Sequence, residues 1–147
     1  MSKEASSSAS LSKQQAVDEL YKQGMQVRRS VMGDTFVDRA MEQQASSEIS
    51  EPIQEYITAA CWGQVWTRPG LSKRDRSMLN LGMLCCLNRG TEFAGHVRGA
   101  LNNGVTKEEI SEIILQVAVY AGAPASLEGA RIADRVIKDW NESQKKE

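Results

Sequence analysis

The spacing of apolar and polar residues predicts helices along the whole chain. The clearest helix follows Thr106, where apolar residues recur every three or four positions: Ile110, Ile113, Ile114, Val117 and Ala118. That period is the signature of an amphipathic α-helix. Thr106 and Glu109 match the T-x-x-E capping box, which indicates where this helix begins. No segment alternates with the period of a strand, so the pattern predicts an all-α fold of six to seven helices.

Two other segments carry less regular helical patterns. The segment IQEYITAACWGQVW predicts one helix whose apolar face consists of Ile53, Tyr56, Ile57, Ala60 and Cys61. The segment RSMLNLGMLCCLN follows the capping pair Ser72 and Asp75 and leaves almost no polar face before Gly90, which we expect to end it. A helix that is apolar all round belongs in a core or a subunit interface.

A further predicted helix contains the single histidine of the chain, His96. We expect Thr91 to cap its start and Gly104 to end it in the left-handed conformation. Glu92 and His96 are four residues apart, so they share one helical face. A carboxylate beside an imidazole can transfer protons, but a surface or structural pair has the same spacing. The spacing alone leaves both interpretations open.

Composition predicts one globular domain of 147 residues. We expect a disordered, Ser-rich polar arm over residues 1–11, a domain over residues 12–140 and a charged tail over residues 141–147. No apolar run has the length of a secretory signal or a membrane span. The net charge of −1 gives no basic field for nucleic acid. Three cysteines without a CxxC spacing favour reduced thiols in a cytoplasmic protein and no zinc site.

Four segments together resemble the γ-carboxymuconolactone decarboxylase family: RRSVMGDTFVDRA, QEYITAACWGQVWTRPGL, RDRSMLNLGML and EFAGHVRGALNNGVTKEEISEIILQVAVYAGAP. The resemblance covers roughly residues 27–140. It implies the helical fold of alkyl hydroperoxidase D-like proteins and assembly into a homo-oligomer, a trimer or hexamer, with the active site near subunit contacts. It also implies a role in the catabolism of aromatic compounds.

Peroxidase relatives in the same superfamily carry the motif CxxCxxxH, which this chain lacks. Counting back from His96, the two cysteine positions are Arg89 and Glu92. Cys85 and Cys86 lie a turn too early to replace them. The sequence therefore argues against a thiol-dependent peroxidase, although that activity remains the alternative from the shared fold.

The resemblance implies a carboxylated γ-lactone as substrate, such as 4-carboxymuconolactone. Loss of carbon dioxide would push electrons onto the lactone oxygen, so the enzyme needs a donor for the oxyanion and an acid for carbon. His96 suits the donor or acid role, with Glu92 orienting it or sharing the proton. No metal or organic cofactor is required, because the substrate itself accepts the electrons.

Other residues are expected to bind the substrate. Arg68 could clamp a carboxylate or simply brace a turn. Trp62 and Trp66 could form the wall of a dry pocket, although core packing is the stronger interpretation for at least one of them. Glu55 is a weaker candidate for lining the pocket. A non-catalytic helical oligomer that is accessory to aromatic or secondary metabolism is a further alternative.

Overall fold

The computed structural model describes residues 2–44 and 47–145, with side chains over residues 12–43 and 47–145. In these ranges the chain forms seven α-helices and one π-helix, and no strand, which confirms the predicted all-α class. The helices are α1 (Ser2–Met32), α2 (Asp34–Gln44), α3 (Ser50–Ile57), the π-helix (Thr58–Val65), α4 (Lys73–Cys86), α5 (Gly90–Asn102), α6 (Lys107–Ala121) and α7 (Ala123–Gln144).

The helices pack as two compact units, Met1–Gly70 and Leu71–Glu147, where the sequence predicted one domain over residues 12–140. The backbone is helical from Ser2, within the arm that was predicted to be disordered. Because the side chains of residues 1–11 lie outside the described part, the predicted disorder stays a prediction. Helix α7 continues to Gln144, into the predicted tail, while residues 146–147 lie outside the described residues.

In the first unit, α1 and the π-helix cross at two glycines. A Cβ atom on Gly24 would lie 2.1 Å from the carbonyl oxygen of Thr58, and one on Gly63 would lie 2.3 Å from that of Leu20. Both obstacles are backbone atoms, so only glycine allows this approach. Beside the crossing lies a small core of Val31, Met32, Val37, Trp62 and Trp66.

The π-helix corrects the predicted apolar face of the Ile53–Trp66 segment. Ile53 and Tyr56 are 52% and 72% exposed, whereas the buried residues are Thr58, Ala59, Trp62, Gly63 and Trp66. Each turn of a π-helix closes with an i→i+5 hydrogen bond, as from the Trp66 N–H to the Cys61 carbonyl at 3.0 Å. Ile53 and Tyr56 belong to α3, an α-helix that buries none of its residues, so the periodic pattern mistook an exposed face for a core face there. From Thr58 onward the π-helical spacing places other residues in the core.

The second unit consists of α4 to α7 around one core. Its fully buried side chains include Leu81 of α4, Phe93 and Val97 of α5, and Ile110 of α6. Two predicted helix starts are confirmed. Ser72 accepts the Asp75 N–H at 3.0 Å, and the reciprocal capping box of Thr106 and Glu109 is complete.

The predicted boundary between α4 and α5 is wrong in two respects. Helix α4 ends at Cys86 rather than Gly90, and Asn88 takes the left-handed conformation (φ 54°) that closes the turn. Thr91 is not a cap, because α5 starts at Gly90 and its first backbone bond runs from the Phe93 N–H to the Arg89 carbonyl at 2.8 Å. The end of α5 is as predicted, with Gly104 at φ 81°.

One face of α4 carries apolar side chains at the surface of this unit. Leu79 and Met83 are 52% and 53% exposed, and Leu87, which caps the end of the helix, is 64% exposed, while Leu81 and Cys85 fill the core. The helix therefore divides its apolar residues between two sides. Along the described residues, no helix combines the length and the apolar character that crossing a bilayer requires.

Candidate active site

Helix α5 places Glu92 and His96 one turn apart on the same side, as predicted. Phe93, Val97 and Ala100 hold the opposite side of the helix in the core of the second unit. Glu92 lies at the exposed end of α5, whereas His96 is half-buried and its Nδ1 atom is buried. The pair is therefore built into a rigid helix, with the imidazole inside and the carboxylate outside.

Burial lowers the pKa of His96 below the ordinary value of 6.5, and the nearby negative charge of Glu92 raises it by a smaller amount. Desolvation disfavours the imidazolium form, so the ring is neutral at neutral pH. A neutral imidazole can donate one hydrogen bond and accept another. The site therefore favours His96 as a hydrogen-bond donor to developing negative charge over a cationic acid.

Trp62 and Trp66 form a stacked pair in the first unit. Their ring centroids are 4.7 Å apart, with an interplanar angle of 28°, and each residue is 5% exposed. They pack with Val31, Met32 and Val37. This burial supports the packing role that the sequence left open, and their role in substrate binding stays a prediction.

The other two candidates of the first unit are exposed. Arg68 lies in the turn after the π-helix, where its backbone N–H donates to the Val65 carbonyl at 3.1 Å. Glu55 lies on α3 and lines a cavity of about 620 Å³ within the first unit. Its placement agrees with a pocket-lining residue, but the clamp and lining roles of both residues stay predictions.

The sequence analysis missed a buried arginine, Arg28 of α1. Arg28 is 8% exposed and donates from Nη1 to Gln54 Oε1 at 3.1 Å and to Thr58 Oγ1 at 3.3 Å. Its neighbour Arg29 lies at the surface and pairs with Asp34 and Asp38. The helical period offered a signal, because Arg28 is four residues after the buried Gly24 and three before the buried Val31.

The cysteines lie outside α5, and two of them have suppressed acidity. Burial raises the pKa of the Cys61 and Cys85 thiols, so less of each is thiolate at neutral pH. Thiolate is the form that attacks peroxides, and reactive cysteines have lowered pKa values. These two thiols therefore give no support to the peroxidase alternative.

Comparison with known proteins agrees with the resemblance. Residues 51–135 match the model of the carboxymuconolactone decarboxylase family. The chain is 40% identical to a 4-carboxymuconolactone decarboxylase of Acinetobacter baylyi over 83% of this chain and 90% of that protein. It is also 40% identical to a nitrosuccinic acid decarboxylase of Metarhizium robertsii over 82% of each chain. The prediction of a decarboxylase-like enzyme is thus confirmed at the level of the family: this chain belongs to the carboxymuconolactone decarboxylase family.

Proposed function

We propose that this protein is a cofactor-independent carboxy-lyase that removes carbon dioxide from a carboxylated γ-lactone, 4-carboxymuconolactone or a close relative. The observation that carries the proposal is the half-buried His96 on α5, whose lowered pKa keeps it neutral. The 40% identity to a 4-carboxymuconolactone decarboxylase supports the substrate class. Because the chain is also 40% identical to a nitrosuccinic acid decarboxylase, other activated acids remain candidate substrates.

The reaction needs stabilisation of negative charge more than any group transfer. As the carbon–carboxylate bond breaks, its electron pair moves through the double bond onto the lactone carbonyl oxygen and forms a dienolate. His96 donates a hydrogen bond to that oxygen, and a proton then adds to carbon to give the product. A donor fixed in a desolvated site is worth more than one in water, because it needs no reorganisation during the reaction.

The other predicted residues take supporting roles in this proposal. Glu92 orients the His96 ring, or holds the proton that the product receives, from one turn earlier on α5. In the first unit, the exposed guanidinium group of Arg68 is the candidate for binding a carboxylate. Glu55, on α3, is a candidate for lining the cavity of that unit.

The test is turnover of 4-carboxymuconolactone and, separately, nitrosuccinic acid by the purified protein, with product identified by mass spectrometry. We expect His96→Gln to lower kcat by about 10²–10⁴-fold, the usual contribution of a positioned proton-transfer or donor group. Glu92→Gln tests the second residue of the pair. Its control is Glu112→Gln, which removes an exposed carboxylate of α6. Undiminished activity of His96→Gln would overturn the assigned role, and no turnover of either acid would overturn the substrate class.

We further propose that the protein acts as a homo-oligomer in the cytoplasm, with the exposed apolar face of α4 against a second copy. Leu79, Met83 and Leu87 line an open groove of about 840 Å³ in the second unit. Contact between this apolar surface and water is unfavourable, which favours its burial against a second copy. Sedimentation should show an oligomer for the wild type and a smaller species for Leu79→Glu. Leu127→Glu, an equally exposed leucine of α7, is the matched control. A monomeric wild type would refute the assembly.

A further inference from the structure

One strip of α4 lines two grooves on the surface of the second unit. Along α4, the groove of about 840 Å³ is lined by residues three and four positions apart, hereafter the α4 strip: Asp75, Met78, Leu79, Gly82, Met83 and Cys86. A groove of about 520 Å³ between α4 and α6 shares Met78, Gly82 and Cys86 with it. Apolar positions at this spacing form a seam on which a second helix can pack.

Gly82, in the middle of the α4 strip, is not explained by packing among the described residues. A Cβ atom there would meet nothing nearer than a methyl group of Ile113 at 4.0 Å. By contrast, a Cβ atom on Gly24, Gly63 or Gly129 would lie 2.1, 2.3 or 2.5 Å from a neighbouring atom. Glycine inside a helix is less stable than alanine, because its backbone loses more freedom on folding. Gly82 is explained if another helix approaches it closely from outside.

The α4 strip is complementary in shape to a copy of itself. Leu79 and Met83 stand beside Gly82, and each is about half exposed. In two copies related by a two-fold axis at Gly82, the large side chains of each strip lie beside the notch of the other. A two-fold interface requires a self-complementary surface of this kind. A second copy of this chain is therefore the occupant that the surface favours.

The charges around the grooves indicate the direction of the second helix. The charged residues that line the two grooves are all acidic: Asp75, Glu108, Glu109 and Glu112. Glu109 pairs with Arg74 in the first turn of α4, so this acidic cluster begins at the N-terminal end of that helix. Parallel pairing of two α4 helices would bring two acidic ends together, whereas antiparallel pairing separates them. Antiparallel packing also sets the opposite ends of the two helix dipoles side by side.

The other end of α4 is followed by an exposed cation, Arg89. Asp75 and Arg89 each lie seven residues from Gly82, on opposite sides of it. The ion pairs formed by the described side chains involve Arg29, Arg74 and Arg131, and none includes Asp75 or Arg89. In an antiparallel pair, the carboxylate of one copy lies at the end where the other copy carries this guanidinium group.

We propose that α4 of one copy packs antiparallel against α4 of a second copy, with a two-fold axis at Gly82. This inference rests on the assembly proposed above and adds its symmetry and register. The register places Met78 opposite Cys86 of the partner subunit, because the two residues lie four positions before and four positions after Gly82.

This register makes a disulfide a measure of the interface. Cys86 lies about 6 Å from Gly82 along the helix axis, so the Cys86 residues of the two copies would be about 12 Å apart. A disulfide requires Cα atoms within about 7 Å of each other. Residues 78 and 86 of a single chain are also about 12 Å apart. A disulfide between these two positions must therefore join two copies.

The first test introduces Met78→Cys into full-length protein that also carries Cys61→Ser, while Cys85 stays in place because it is buried. Diamide is added as the oxidant, and it accepts the two electrons and two protons released when two thiols join. We expect a covalent dimer in which mass spectrometry identifies position 78 joined to Cys86. The same protein without Met78→Cys should give no covalent dimer. Leu127→Cys, at an equally exposed position of α7, should give none through Cys86.

The outcomes separate this inference from the proposed assembly. An oligomer in which Cys86 joins Cys86, or in which Met78→Cys forms no link to Cys86, would overturn the antiparallel register and leave the assembly standing. A wild type that sediments as a monomer would refute the assembly itself.

The second test fills the notch and does not depend on the fold of Met78→Cys. Gly82→Leu should raise the dissociation constant of the oligomer about tenfold or more, because the added side chain overpacks a close contact. An extra exposed leucine ordinarily promotes association, so weaker association identifies a steric block. Ser111→Leu, at an exposed position of α6 outside both grooves, should leave the constant unchanged. Unchanged or tighter association of Gly82→Leu would contradict close approach at Gly82.

Gly82→Ala separates the protomer from the interface. The protomer has room for the new Cβ atom, so this variant should unfold at a higher urea concentration when it is diluted below its association range. At higher protein concentration the same change should weaken association. An association constant equal to that of Gly82→Leu or lower would contradict the graded steric effect of a close helix crossing.

Discussion

Replacing Gly24 with alanine tests the close crossing of α1 and the π-helix. In an open helix the change would stabilise the protein by about 1 kcal/mol, because alanine is the better helix former. Here the new Cβ would lie 2.1 Å from the Thr58 carbonyl oxygen and 2.8 Å from the Gly63 nitrogen. Neither backbone atom can turn aside as a flexible side chain would. Overpacking strain reaches about 3 kcal/mol, so we expect a net loss of about 2 kcal/mol.

Gly82→Ala is the matched control for this prediction. Gly82 lies inside α4, and its Cβ would meet nothing nearer than a methyl group of Ile113 at 4.0 Å. That variant should gain up to about 1 kcal/mol from helix propensity alone. Urea unfolding followed by circular dichroism measures both changes as shifts of the transition midpoint. A Gly24→Ala midpoint at or above that of the wild type would refute the strain argument.

Two further predictions concern the candidate site and the helix starts. Because burial lowers the pKa of His96 below 6.5, kcat/KM should stay level above pH 6.5 with respect to this group and fall as pH drops through the lowered pKa. His96→Gln should not show this fall of kcat/KM at low pH. A wild-type kcat/KM that rises on acidification would contradict a neutral hydrogen-bond donor at His96. Thr106→Ala breaks the capping box of α6 and should cost about 1 kcal/mol of unfolding free energy. Thr91→Ala, inside α5, removes no cap and should change the same denaturation midpoint little.

Features that depend on neighbours in sequence were predicted well. The capping box of Thr106 and Glu109 and the Ser72 cap each rest on a few consecutive residues, so local chemistry identifies them. Gly104, which adopts the left-handed conformation after α5, was also predicted from the local sequence. Thr91 had equally good cap chemistry and failed, because Asn88 turned the chain early and let α5 start at Gly90.

Features that depend on distant contacts were missed. The helical period places Arg28 on the face of Val31, but the burial of an arginine there is seen only when α1 packs against the π-helix. The exposed Ile53 and Tyr56 looked like core residues for the same reason. In the candidate site, the sequence was enough to predict that Glu92 and His96 share one helical face. The burial that lowers the pKa of His96 could be seen only in the packed structure.

The π-helix gives this stretch an unusual tolerance to a change in chain length. An α-helix advances about 100° per residue, and a π-helix advances less, because its hydrogen bonds span five residues rather than four. If one residue between Thr58 and Trp62 is deleted and α-helical bonding returns, the larger advance per residue offsets most of the angle lost with the deleted residue. A one-residue deletion here should therefore keep Trp62 and Trp66 directed at the small core of the first unit, whereas the same deletion in an α-helix turns every later side chain by about 100°.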